Sequence, residues 1–179
     1  DLNQGVVYGV NTKETNLKKE FCTSFHYDHI FGTILNRFFT LAALEQPLLL
    51  YGSGRQKRTF LNINDTLQCI TLALKNPPKK GVCEIRNQYT EMFSLKDLAE
   101  KVVLAAKDLN IKTSIKNIKN PRIEKDKHYF NPTNRSFKKI GLKPEKLTKK
   151  FIQNSIIFVK NNLNRINKDI IFPNIKWKD

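Results

Sequence analysis

The sequence predicts an α/β fold, and three observations carry that expectation. Short apolar runs of strand length, Leu48–Tyr51 and residues 60–63, stand beside longer segments whose apolar residues recur at three- and four-residue spacing. The two kinds of segment follow one another along the chain, the pattern of strands packed against helices. At 179 residues the chain is long enough for one sizeable core, so a single domain is expected.

Residues 1–9, DLNQGVVYG, read as a strand and the loop at its carboxyl end. Ligands gather at such ends in α/β sheets, which makes Asn3, Gln4 and Tyr8 candidate contacts, with ordinary strand-end polar residues as the alternative. Residues 10–30 have little periodicity and read as a long loop, of a length that is often functional. From Phe31 the pattern turns helical, with Ile34, Leu35, Phe38, Phe39, Leu41, Ala42 and Leu44 on a wide apolar face. Asn36 and Arg37 are its polar exceptions, and on pattern alone Arg37 is a solvated helix residue.

The strands at Leu48–Tyr51 and residues 60–63 flank a basic turn, residues 52–58, and lead into Asn62-Ile63-Asn64-Asp65, residues of the kind that cap a helix. Strand, basic turn, strand and helix start form an anion-binding arrangement, because backbone N–H groups and arginine can converge on one point. A helix over residues 65–75 follows, with Leu67, Ile70, Leu72 and Leu74 as its apolar set, and Pro77-Pro78-Lys79-Lys80-Gly81 ends it. Residues 82–87 read as a strand. Ser94, with Asp97 three residues on, caps a helix whose apolar set is Leu95, Leu98, Val102, Val103 and Ala106. Weak alternation over residues 111–118 suggests an edge strand. A proline-fixed loop at residues 120–124, a short helix over 135–140 ended by Gly141, and a long helix over 147–166 complete the chain, with Trp177 pinning the tail.

Lys plus Arg is 32 against 16 acidic residues, a net charge of +16. Such an excess fits a polyanion partner, and a basic polyanion-binding module is the reading from a different functional class. The lysines, however, are spread through an asparagine-rich chain with no arginine-rich tract, the distribution of solvated faces. The expectation is therefore no nucleic acid. No run reaches the ~18 apolar residues of a membrane span, and residues 1–20 show no targeting pattern, so no membrane insertion is expected. Cys22, Cys69 and Cys83 are odd in number and lack CxxC spacing; they read as reduced thiols of an intracellular protein, Cys69 and Cys83 buried.

Gly52-Ser53-Gly54 lacks the third glycine and the strand-to-helix context of a dinucleotide fingerprint. Cys22, His26 and His29 lie in a loop with no second ligand pair, so no metal site is expected. Nor does any tyrosine have lysine four positions on. Thr12, Phe31, Arg55, Phe93 and Thr133 follow Tyr8, Tyr27, Tyr51, Tyr89 and Tyr129 at that spacing. The Tyr-x-x-x-Lys base of short-chain dehydrogenases is not in this sequence.

DLNQGVVYG at 1–9, YDHIFGTILNRF at 27–38, PLLLYGSGRQKRTFLNINDTLQC at 47–69, NQYTEMFSLKDLAE at 87–100 and NPRIEKDKHYFNP at 120–132, with PNIKWK at 173–178, resemble the UDP-sulfoquinovose synthases. These are sulfolipid-pathway enzymes of the extended short-chain dehydrogenase/reductase (NAD-dependent epimerase/dehydratase) superfamily. The resemblance implies that residues 1–179 are the C-terminal part of a Rossmann-type fold with its mixed α/β substrate-binding domain. The family's glycine-rich NAD fingerprint, catalytic threonine and Tyr-x-x-x-Lys would lie upstream. It implies an enzyme that oxidises UDP-glucose transiently with bound NAD, dehydrates it to a 5,6-ene and adds sulfite at C6, inactive as the isolated chain. The implied partners are UDP-glucose, sulfite or a sulfite donor protein, and a second copy in a homodimer, in a plastid stroma or a bacterial cytoplasm. Another NAD-dependent sugar-nucleotide epimerase or dehydratase is the alternative enzyme. A chain with part of its sheet missing would expose an apolar edge and dissolve poorly alone.

Carried over by position, Arg58 matches the arginine that binds the sugar-nucleotide pyrophosphate, and a guanidinium suits phosphate as a bidentate fork. Residues 47–51, Leu49 and Tyr51 among them, match the segment that holds uracil. Gln4 and Val7 match positions near the nicotinamide and the sugar. Arg37 becomes a phosphate or substrate contact, and Arg122 with Glu124 the late loop gripping phosphate and ribose. The family's turn resembles YGKGGQTRG where this chain has YGSGRQKRT. Ser53 and Lys57 differ, and Arg55 and Thr59 replace glycines; at residue 55 this strains the backbone if φ must be positive there.

Overall fold

The computed structural model describes residues 1–21, 24–28, 30–120 and 130–171. Its elements are β1 (Leu2–Gln4), β2 (Val6–Tyr8), α1 (Ile34–Ala43), β3 (Leu48–Tyr51), β4 (Lys57–Asn62), α2 (Ile63–Lys75), β5 (Arg86–Gln88), β6 (Glu91–Ser94), α3 (Leu95–Lys107), β7 (Ile115–Ile118), α4 (Arg135–Lys139) and α5 (Lys149–Lys160). Where the length suggested one core, the chain interleaves two compact units. The first holds Asp1–Ser24, Arg58–Met92 and Phe130–Leu147; the second holds Phe25–Lys57, Phe93–Tyr129 and Thr148–Asp179.

In the first unit the opening run changes partner at Gly5. β1 pairs in parallel with β5, and β2 in parallel with β4, Val6 opposite Phe60 and Tyr8 opposite Asn62. The switch needs a glycine: a Cβ at Gly5 would lie 2.8 Å from the Thr59 Oγ1 and 2.9 Å from the Thr59 carbonyl oxygen. Asn62 caps α2, its side chain accepting the Asn64 N–H at 3.0 Å, as the capping rule leads one to expect.

The face α2 buries is not the predicted one. Leu67, Ile70 and Leu74 are 45%, 42% and 76% exposed, whereas Asp65 and Cys69 are fully buried. Cys69 joins Phe137 and Leu142 in a small core, with Leu2, Leu72, Ala73 and Ile140 packed on it. Residues 82–85 are not strand, and Cys83 is exposed rather than buried. The buried Arg86 instead ties the segment down, its Nη2 donating to the Asn76 carbonyl at 2.9 Å and to Glu84 Oε2 at 2.6 Å.

The second unit is built on three helices and the β3–β7 pair. α1 begins at Thr33, whose hydroxyl accepts the Asn36 N–H at 3.3 Å, and it buries Leu35, Phe38, Phe39, Leu41 and Ala42 against α3 and α5. Each fully buried side chain of that size stabilises by about 1.5–3 kcal/mol. Phe31 lies outside the helix and is exposed, so the apolar face starts one turn later than predicted. Ser94 and Thr148 cap α3 and α5, accepting the N–H of Asp97 and of Phe151, each at 3.1 Å. α5 stops at Lys160, short of the expected residue 166, and two single-turn 3₁₀ segments follow. No helix among the described residues is long and apolar enough to cross a membrane.

Candidate functional site

Strand β3 sorts its side chains by the two-residue period of a strand. Leu48 and Leu50 point into the core, and Leu49 and Tyr51 share the opposite, half-buried face. Parallel pairing with β7 sets Tyr51 beside Ile118. On α1, Ile34, Arg37, Phe38 and Leu41 stand at i, i+3, i+4 and i+7, one face of a helix. These two faces, with Ile118 and Ile171, line a shallow groove partly open to solvent. The groove brings together Arg37, Leu49 and Tyr51, three of the residues assigned by resemblance. Pattern reading missed Ile34, Phe38 and Leu41 as lining, although their spacing around Arg37 signals it. Ile118 and Ile171 carry no such signal, since only the fold brings them there.

The turn between β3 and β4 is not the open ring of N–H groups that an anion-binding turn suggested. Gly52 N donates to the Ile118 carbonyl at 2.8 Å and Gly54 N to the Tyr51 carbonyl at 3.3 Å. Its own carbonyls serve α3, where Lys96 N reaches Gly54 O at 2.9 Å and Leu95 N reaches Gln56 O at 3.1 Å, satisfying donors that a helix start leaves unpaired. Positive φ falls on Gly52 (58°) and Gly54 (69°), not on Arg55. The arginine at the family's glycine position is therefore unstrained.

The other assigned residues belong to the first unit or lie beyond description. Gln4 is exposed at the end of β1 and Val7 half-buried on β2. Arg58 is exposed on β4, next to Thr59, whose backbone meets Gly5 between Gln4 and Val6. Arg122 and Glu124 lie outside the described residues, as do Cys22, His29 and Trp177.

Tyr8, a candidate contact on sequence grounds, is buried instead. Its hydroxyl donates to the Glu145 carbonyl at 3.4 Å. Burial, then the charges of Glu91, Asp65 and Glu145, push its pKa well up, so it is a neutral phenol and no base. Asp65 accepts the Glu145 N–H, and Glu91 Oε2 accepts the Leu147 N–H at 2.6 Å. These carboxylates hold the chain at residues 145–147. Burial, the largest cause, raises the Asp65 pKa against the opposing hydrogen bond from Glu145.

The fold is that of the extended short-chain dehydrogenase/reductases, in their mixed α/β carboxyl-terminal part. It matches UDP-glucuronic acid 4-epimerase from Bacillus cereus, solved with UDP-glucuronic acid and NAD, at a TM-score of 0.61 and 16% identity over 90% of this chain and 45% of that one. UDP-glucose 4-epimerase from Thermotoga maritima, solved with UDP-glucose, gives 0.63 at 14% identity over 90% of this chain and 46% of that one. In sequence the chain is similar to UDP-sulfoquinovose synthase: the chloroplastic enzyme of Spinacia oleracea is 42% identical over 99% of this chain, and that of Sulfolobus acidocaldarius 36% identical over 99%. The match falls on the C-terminal part of both, 37% and 46% of their lengths. No protein-family model matches the sequence.

Proposed function

We propose that this chain carries the sugar-nucleotide-binding part of a UDP-sulfoquinovose synthase. UDP-glucose is the substrate, and sulfite, free or from a donor protein, the second reactant. The observation that carries this reading is the groove, where Arg37, Leu49 and Tyr51 fall on one surface. The Leu49 and Tyr51 side chains form a flat apolar wall for a uracil ring. Arg37 at its edge offers a planar fork suited to phosphate oxygens, and Arg58 of the first unit is, by resemblance, the pyrophosphate arginine. In this reading the first unit is the end of the cofactor fold, the second the substrate domain, and the whole enzyme a homodimer of the plastid stroma or a bacterial cytoplasm.

The residues present fit NAD. The exposed Gln4 offers a carboxamide donor and acceptor, the complement of the nicotinamide carboxamide, and the half-buried Val7 an apolar flank. When bound, NAD supplies a ring that accepts and returns a hydride; Gln4 and Val7 would hold it. The sequence contains no Tyr-x-x-x-Lys, so that pair would come from the portion of the relatives outside the match, and the isolated chain is inactive.

The test joins the unmatched portion of the Spinacia oleracea enzyme to this chain and measures competition between UDP-glucose and dTDP-glucose. Preference for UDP-glucose, with sulfite-dependent turnover, supports the reading. The second reading, a sugar-nucleotide epimerase, would be established instead by a sulfite-independent epimer product.

A further inference from the structure

Three consecutive residues before α1 each hold a different part of the second unit. The Phe25 ring lies 5.9 Å from that of Phe158 on α5, centroid to centroid, at a tilt of 57°. The His26 carbonyl accepts Asn36 Nδ2 of α1 at 3.0 Å. The Tyr27 hydroxyl accepts the backbone N–H of Asn167 at 2.9 Å, across 140 residues of sequence. Asn167 lies between the two 3₁₀ turns that follow α5, Leu163–Arg165 and Lys168–Ile170. Among the described residues, the other hydrogen bonds of this return close within it. Arg165 N donates to the Asn162 carbonyl, Ile166 N to that of Leu163, Asp169 N to Asn167 Oδ1 and Ile171 N to the Lys168 carbonyl. Tyr27 thus supplies the hydrogen-bonded tie between the return and the body of its unit. Just beyond the tie, Ile171 is 2% exposed and lines the groove with Arg37, Tyr51 and Ile118.

We infer that Tyr27 is a positioning residue for the groove: its hydroxyl seats the chain returning after α5, so that Ile171 completes the apolar lining and strengthens sugar-nucleotide binding. The inference rests on the proposed function for the ligand of the groove. Single 3₁₀ turns have poor hydrogen-bond geometry and little rigidity of their own, so the return takes its position from what holds it. Tyr27 suits that task, because the neighbouring contacts of Phe25 and His26 fix its own backbone. The Asn167 N–H is exposed, so losing its acceptor hands it to water at little cost to folding, while the placement of Ile171 is lost.

Tyr27→Phe keeps the ring and removes the acceptor. In the protein joined to the unmatched portion of the Spinacia oleracea enzyme, it weakens UDP-glucose binding by about two- to tenfold, the range of one neutral hydrogen bond, and keeps the wild-type melting temperature. In an Ile171→Ala background the same substitution changes affinity less, because Tyr27 acts through Ile171; Ile171→Val takes its place if Ile171→Ala does not fold. Without ligand, Tyr27→Phe speeds hydrogen exchange at the Ile171 amide and leaves α1 and α3 at wild-type rates. Unchanged affinity, unchanged exchange at Ile171, or an undiminished effect in the Ile171 background overturns the inference. So does a loss of affinity that comes with a fall in melting temperature, since the tyrosine would then serve folding alone. A wild-type joined protein that binds no UDP-glucose removes the functional reading instead. The exchange rate at Ile171 then decides the seat by itself: faster in Tyr27→Phe upholds it, and unchanged overturns it.

Discussion

Asp65 sets both carboxylate oxygens on one donor, the backbone N–H of Glu145, at 3.0 and 3.1 Å across 80 residues of sequence. The pair fixes α2 to the loop before α5, and it explains why α2 buries a carboxylate while Leu67 and Leu74 stay outside.

That carboxylate has a testable pH signature. Burial lifts its pKa above the ordinary 3.8 in the folded chain, so between that value and the raised one the folded state binds more protons than the unfolded. Asp65 therefore contributes a stability term that falls as pH rises through this window and is flat above it. The wild-type chain gains stability relative to Asp65→Asn as pH is lowered from neutrality into the window, measured by urea unfolding of both at a series of pH values. A difference moving the other way contradicts the burial of a strained carboxylate.

Gly5 is required where the opening strand changes partner. Gly5→Ala drives a methyl group into the Thr59 backbone and costs roughly 1–3 kcal/mol, the usual range for overpacking. Thermal unfolding of the two chains checks this, and an unchanged midpoint contradicts the close approach.

Positions 54 and 55 of the turn behave oppositely. Gly54→Ala meets a φ of 69° and a Lys96 N 3.3 Å away, and it destabilises by about 1 kcal/mol or more. Arg55→Gly restores the family residue but relieves no strain, because positive φ is absent there. It leaves stability unchanged or lowers it by up to about 1 kcal/mol through backbone entropy. A stabilising Arg55→Gly, read from denaturant midpoints, contradicts this account of the turn.

Much of the fold was legible where local rules act alone. The short apolar run Leu48–Tyr51 marks β3, and Ser94 with Asp97 marks the start of α3. Failures arose where the deciding partner is remote. The apolar residues of α2 pointed to the wrong buried face, because nothing near Asp65 in sequence announces Glu145. β6, four residues long, gave no periodicity to read. Exposed residues 82–85 looked like strand through their composition. For the site, Leu49 and Tyr51 were assigned by resemblance, and Arg37 by resemblance against the pattern. The contribution of Ile171 to the groove depends on the chain's return after α5.

The central claim is that this chain binds the uridine diphosphate moiety of a sugar nucleotide. Calorimetric titration of UDP-glucose into the protein joined to the Spinacia oleracea portion, with and without Arg58→Ala, tests it most directly. The account predicts saturable binding, weakened in Arg58→Ala by roughly 1.5–3 kcal/mol, the loss of a charged hydrogen bond to phosphate. No binding, or equal affinity in the variant, would contradict it.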